Sequence, residues 1–192
     1  MKSNEIFRLL INPFTRIAGW QAFGIGLVFV IITGITGTFS HVAFDGVIDM
    51  HLLQKLSFLN SFEFLAIDLI SVMIIMIATG YIISKGFRII DILGTMTLSR
   101  APFIILAIAG YFTVSPDIAE IMKNPLVIFQ SLSFVLFILL SIPITIWTII
   151  LMFNSLKISC GVKGTKLGTA FIAAVLISEI ISKILIYKFV II

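Results

Sequence analysis

Three sets of polar residues stand out in an otherwise apolar chain, and each suggests a different chemistry. Asp68, Glu179 and Lys183 lie within apolar stretches long enough to cross a bilayer. An ionisable side chain at that depth costs roughly 2.5–3.5 kcal/mol on insertion scales, so each needs a partner or a purpose. Glu179 and Lys183 stand in the i,i+4 order that favours an ion pair on one helix face. Asp68 falls at a comparable depth on a different stretch, about 9 Å along a helix from Phe62. The spacing therefore predicts one buried cluster of Asp68, Glu179 and Lys183, read either as a charge-neutralised staple between helices or as a proton or ion path. No long acidic or histidine relay accompanies it, which favours the staple. Ser71, Gln130, Ser178 and Ser182 are the side chains expected to hydrogen-bond near it.

A second set is His41, Asp45, Asp49 and His51. The first three follow i, i+4, i+8, and on a helix they would share a face able to hold a divalent metal through imidazole and carboxylate. A solvated loop would read the same, and no metal is expected here. The third set is the stripe Ser84, Arg88, Asp91, Thr95 and Ser99, with Ile89, Ile90, Leu93 and Met96 mainly opposite. That pattern predicts an amphipathic helix over 86–99 lying flat at a membrane surface, with Pro102 opening the next helix. Arg88, Asp91, Thr95 and Arg100 become candidate binding residues on a cytoplasmic face. Extending the following helix back to Ile89 is the alternative, and it would carry Asp91 and Arg100 into the membrane.

No other chemistry is suggested. HExxH, GxSxG and Walker-type motifs do not occur, so no catalytic residue and no cofactor is expected. Cys160 is the only cysteine and has no histidine nearby in sequence, so it reads as an inert thiol. Lys157, Lys163 and Lys166 could attract anionic headgroups, although membrane topology alone accounts for them. The Met and Phe content reads as core and bilayer-facing material.

The elements that must position these residues follow from composition. Of 192 residues 60% are hydrophobic and 11% charged, and mean hydropathy is +1.22, which excludes an ordinary soluble domain. The expected fold is an all-α integral membrane protein, a single domain over 1–192. It is a five-helix transmembrane bundle with short interfacial helices, one of them within 1–18 before the Asn12-Pro13 break. Spans are expected at about 20–39, 62–83, 101–112, 126–153 and 167–186, with Pro143 bending the fourth. The third is short, and the flat helix before it accounts for that. No cleavable signal peptide is expected, so the first span would act as the insertion signal. Five spans place nine basic residues (Lys2, Arg8, Arg16, Lys85, Arg88, Arg100, Lys157, Lys163, Lys166) on one side. The other side receives three, Lys55, Lys123 and Lys188. That asymmetry predicts a cytoplasmic N-terminus.

Several runs, in the same order along the chain, resemble those of a known family. The DILGT run at 91–95 followed by Arg100-Ala101-Pro102 resembles the segment before the third span in bacterial members of the Yip family, small membrane proteins related to the eukaryotic Ypt-interacting proteins. Asn12-Pro13-Phe14, the surroundings of Trp147, the 157–166 loop and the SEIISK run at 178–183 look similar too. The resemblance implies five transmembrane helices, a cytoplasmic N-terminus and the plasma (inner) membrane. Eukaryotic relatives bind small prenylated GTPases and act in vesicle traffic through long soluble N-terminal regions that this sequence lacks, so GTPase binding does not carry over.

The expected function is a non-enzymatic polytopic membrane protein that organises or binds partners through its cytoplasmic face. Its partners would be the lipid bilayer and a protein or a second copy of the chain, with no nucleic acid. The alternative is a small transporter or channel subunit using Asp68, Glu179 and Lys183. Five spans are few for a monomeric transporter and no inverted repeat is evident, which oligomerisation could offset. A membrane enzyme is a third reading, open only if the outer His and Asp residues converge on a metal.

Overall fold

A computed structural model describes residues 3–191; Lys2, counted above among the basic residues, lies outside them. The helices are α1 (Ser3–Ile11), α2 (Gly19–Ser40), α3 (Phe58–Ile83), α4 (Ile89–Leu98), α5 (Phe103–Gly110), α6 (Ile118–Lys123), α7 (Leu132–Cys160) and α8 (Thr165–Ile186). Single 3-10 segments lie at Pro13–Thr15 and Pro125–Gln130, and a π-helical turn at Tyr187–Ile191 extends α8. Two short strands, β1 (Val42–Ala43) and β2 (His51–Leu52), pair antiparallel between α2 and α3, with Val42 opposite Leu52. Five helical stretches are long and apolar enough to cross a membrane: Gly19–Ser40, Phe58–Ile83, Ile89–Gly110, Leu132–Cys160 and Thr165–Val190.

The all-α fold and the number of spans agree with the sequence reading, but the third span does not. Instead of a flat helix and a short span, α4 and α5 form one path across the bundle, Ile89–Gly110, broken over residues 99–102. It is the most enclosed of the five, with 67% of its apolar window buried against 22–44% in the others. The C-terminal half of the polar stripe, Thr95 and Ser99, is buried and satisfies itself. Thr95 and Thr97 donate to the carbonyls of Asp91 and Leu93 at 2.6 and 2.7 Å, and Ser99 donates to that of Met96 at 2.6 Å. Hydroxyls bonded back to their own helix present a small, dry surface to neighbouring helices. At the break, Pro102 has no N–H to continue the ladder. The fourth span also begins later than expected. Pro125–Gln130 winds as a separate 3-10 segment, and Ser131 caps α7 by accepting the Phe134 N–H at 3.4 Å.

Close packing of α2 on α4 fixes the centre. Ala22, Gly26, Val30, Thr33, Gly34 and Gly37 form the buried side of α2, a run of mostly small residues at helical spacing. A Cβ on Gly26 would lie 2.5 Å from the Leu98 nitrogen and 2.6 Å from the Thr97 carbonyl carbon, and one on Gly94 would meet the Gly19 carbonyl. Only glycine allows backbones this near. α3 packs along α8, and α7 crosses α4 and α5. Towards the end bearing α1, the core includes Met76, Ile92, Met96, Met152, Leu156, Leu167 and Phe171. Towards the opposite end Phe44 stacks on Phe103, with Leu106, Phe137 and Ile144 around them. The outer faces of α3, α7 and α8 expose Ile70, Ile74, Leu139, Ile142, Ile172, Leu176 and Ile180, as a bilayer-facing bundle requires.

Replacing Gly26 by valine should therefore separate α2 from α4 and lower stability by about 1–3 kcal/mol. The thermal midpoint of the purified protein in detergent checks this. Gly24→Val, where a Cβ meets nothing within 4 Å, should leave it nearly unchanged.

Candidate functional site

The connection between α2 and α3, expected to be a solvated outer loop, is folded into the end of the bundle. His41 closes α2 in the left-handed region at φ 58°, and the chain then turns inward, burying Val42, Ala43, Phe44 and Val47. Burying that backbone leaves polar groups to satisfy, and the charges inside the bundle answer them. Arg100, at the break between α4 and α5, donates through Nη1 to the Val47 carbonyl. Glu179 of α8 accepts the Ile48 N–H at 3.1 Å. Lys183, one turn further along α8, donates to Asp49 at 2.7 Å and lies 3.6 Å from Glu179. Asp45 receives His51 Nδ1 at 2.7 and 3.0 Å, a hydrogen bond across the loop. Gly46 fits against Glu179, where an added Cβ would also stand 2.7 Å from that of Asp49.

Beneath this loop sits Asp68 of α3, 1% exposed, with Ser182 of α8 donating to its Oδ1. Arg100 is 5% exposed and its guanidinium lies 5.5 Å from the centre of the Phe103 ring. Arg100 is the cation that acts on Asp68, and Asp68 and Glu179 are the anions that act on Arg100. Asp68 Oδ2, Arg100 Nη2 and Ser71 Oγ are buried without a hydrogen-bond partner. Asp68 and Glu179 lie at one end of the bundle, but the expected single buried cluster with Lys183 is not formed. Lys183 turns outward to Asp49, and the charge facing Asp68 is Arg100, which the sequence reading had placed on the cytoplasmic face. The signal for it was the short third span: extending that helix to full length draws Arg100 inside, beside two carboxylates.

The other candidates separate. His41, Asp45 and Asp49 do not share a helical face, because the chain leaves the helix at His41. Asp45 and Asp49 are engaged by His51 and Lys183. Among the described residues no group of three or more His, Cys, Asp or Glu side chains could hold a metal. Gln130 is exposed in its 3-10 segment, away from the charges it was expected to serve, and Ser178 bonds the Ala174 carbonyl at 2.7 Å. Of Arg88, Asp91, Thr95 and Arg100, only the first two reach a surface. Arg88 is exposed and lies 3.9 Å from half-buried Asp91, whereas Thr95 is fully buried against Ser155 of α7, oxygen to oxygen at 2.5 Å. At that same end Ser84 donates to the Cys160 carbonyl at 2.9 Å and Lys166 to that of Ile83 at 3.0 Å, tying the loops together.

Two loop groups titrate away from their ordinary values. The Asp45 hydrogen bond raises His51, with the charges of Asp45 and Asp49 adding to it against partial burial and Lys183. Partial burial pushes Asp49 up, but the Lys183 hydrogen bond, the charges of His51 and Lys183, and the Met50 N–H together hold it below its ordinary value. The arrangement is a ladder of charges from loop surface to core, suited to pinning the loop on the bundle. Comparison of the chain with protein-family models, with curated proteins and with solved structures finds no match.

Two outcomes follow. His51, raised on folding, contributes stability that is fully present below about pH 6.5 and lost as pH rises through its higher folded value. The thermal midpoint in detergent should fall over that rise, and Asp45→Asn should remove that part of the fall. Second, Arg100→Gln leaves buried Asp68 without the cation that faces it and removes the donor to the Val47 carbonyl, and should cost about 1–3 kcal/mol. Adding Asp68→Asn should restore part of that loss, and a double-mutant cycle on thermal midpoints reads the difference.

Proposed function

We propose that the chain is a non-enzymatic multi-pass protein of the Yip type that organises or binds partners at the plasma (inner) membrane, with its N-terminus in the cytoplasm. The observation that carries this reading is how the charges are divided. The buried ones hold the 42–49 loop on one end of the bundle, while freely exposed basic side chains collect at the other. Arg8, Arg16, Lys85, Arg88 and Lys163 are all exposed there. With Arg100 inside and Lys183 at the loop end, the basic balance still stands at eight against four, which supports a cytoplasmic α1 end. The partner surface is then Arg88, Asp91 and the 157–166 loop, without Thr95 and Arg100. Support for the Yip reading comes from the five spans and from the short runs that resemble that family. A transporter or channel subunit is the second reading, favoured by the unpartnered buried atoms of Asp68, Arg100 and Ser71, which resemble an unfilled polar site more than a completed staple.

One cysteine set tests both readings. In a Cys160→Ser background, single cysteines at Lys55, Lys85 and Ser71 are labelled in intact cells with a small hydrophilic thiol reagent. The proposal expects labelling at 55, protection at 85 until the membrane is permeabilised, and no labelling at 71. Labelling at 71 from outside would bring transport forward, and labelling at 85 in intact cells would sink the orientation. A photo-crosslinker at Lys85 should then give adducts that Arg88→Glu with Lys163→Glu abolishes; adducts unchanged by that reversal would remove the role of this face.

A further inference from the structure

α1 and the Pro13–Thr15 turn form an elbow at the basic end of the bundle. α1 is strapped to α7 at its C-terminal carbonyls, which have no partner within the helix. Trp147 donates its indole N–H to the Leu10 carbonyl at 2.8 Å, and Asn154 donates to that of Ile11 at 3.1 Å. Three cavities converge on this strap. In the elbow lies a polar one of about 210 Å³, bordered by Arg8, Arg16, Asn12, Thr15 and Glu5. Its two guanidinium groups outnumber the single carboxylate, and Asn12 Oδ1 is buried without a partner. Below it a groove of about 330 Å³, almost wholly apolar, runs between α2, the α4–α5 path and α7, past Ile17, Ile25, Phe29 and Leu98. Leu9 borders both, so groove and polar cavity are neighbours. A second apolar groove, about 380 Å³, lies on the other side of Trp147, between Phe7, Ile11, Pro143 and Ile150. The two grooves share Leu10 and Trp147.

We infer that this elbow is a binding site for an anionic phospholipid, its headgroup against Arg8 and Arg16 and its two acyl chains in the grooves on either side of Trp147. Charge complementarity selects the occupant: a net basic cavity sits above paired apolar grooves, the layout of one anionic headgroup on two chains. Depth agrees. Phe29 lies about 15 Å along α2 from Gly19, half of a hydrocarbon core of about 30 Å, which is the reach of one leaflet. The grooves are divided by a ring that also holds α1 in place, so a bound lipid packs on both sides of the strap. A peptide helix would need one wider channel, and neither groove supplies a polar group for a peptide backbone. The inference goes beyond the proposed function and stands whether or not the basic end recruits a protein.

The test uses the full chain, purified in neutral detergent and reconstituted in nanodiscs of phosphatidylcholine containing phosphatidylglycerol. Bound lipid is then counted by native mass spectrometry. Phosphatidylglycerol should be retained in preference to phosphatidylcholine. Arg8→Gln and Arg16→Gln should each weaken that preference about fivefold, with the thermal midpoint in lipid-free detergent unchanged. Ala101→Leu, which narrows the first groove from its wall, should reduce retention of both lipids and leave the headgroup preference intact. Equal retention of the two lipids, or a preference untouched by the arginine changes, would overturn the site. So would displacement of phosphatidylglycerol by inorganic phosphate, because the cavity would then be reading a free anion.

Discussion

A guanidinium and a carboxylate placed inside an apolar bundle have no water to turn to, and the rest of this structure is arranged around that constraint. Asp68 on α3 and Arg100 at the break between α4 and α5 approach the same depth. Arg100 gives one donor to the Val47 carbonyl, and Glu179 accepts the Ile48 N–H, both on a loop that would otherwise lie in solvent. That is why residues 42–48 turn inward, and why apolar Val42, Phe44 and Val47 are carried with them into the core. The loop and the charges explain each other. Neither would be stable at that depth alone.

The same demand for internal satisfaction shapes the third span. Threonines and serines on α4 return their hydroxyls to carbonyls of their own helix, and so become packing residues against α2 and α7. Gly26 and Gly94 then bring α2 close enough to exclude water from the break at 99–102. In this way a broken helix is tolerated at membrane depth: the N–H groups of Arg100, Ala101 and Phe103 turn back onto the carbonyls of Thr97, Leu98 and Arg100.

Much of this was legible in the sequence, and the limit is physical. Apolar length gave five spans because hydropathy is a local property that survives without tertiary knowledge. The Asn12-Pro13 stop after α1 is local for the same reason. The stripe from Ser84 to Ser99 misled because periodicity shows that residues share a face, but not whether that face meets water or another helix. Arg100 was placed outside by the rule that basic residues mark the cytoplasmic side, a rule about populations that cannot identify the one cation with buried partners. Pairing failed likewise. Lys183 and Glu179 were read as one unit with Asp68, yet a lysine stem is long enough to reach Asp49 at the surface. The inserted loop had no local signature, because its polar residues at 41–51 are those of a solvated loop and its placement depends on charges more than fifty residues away.

The two ends of the bundle consequently differ in what they leave available. At the loop end Asp45, Asp49, Glu179 and Lys183 are paired, so a partner approaching there would have to compete with contacts that hold the fold. At the α1 end the basic side chains are mostly unengaged, and the helices are joined through carbonyls bonded by Trp147, Asn154, Ser84 and Lys166. Groups that are not needed to hold the structure can be given to a ligand at little cost in stability. The proposed recognition, of lipid or of a protein partner, is therefore placed at the end where charge is exposed and the fold does not depend on it.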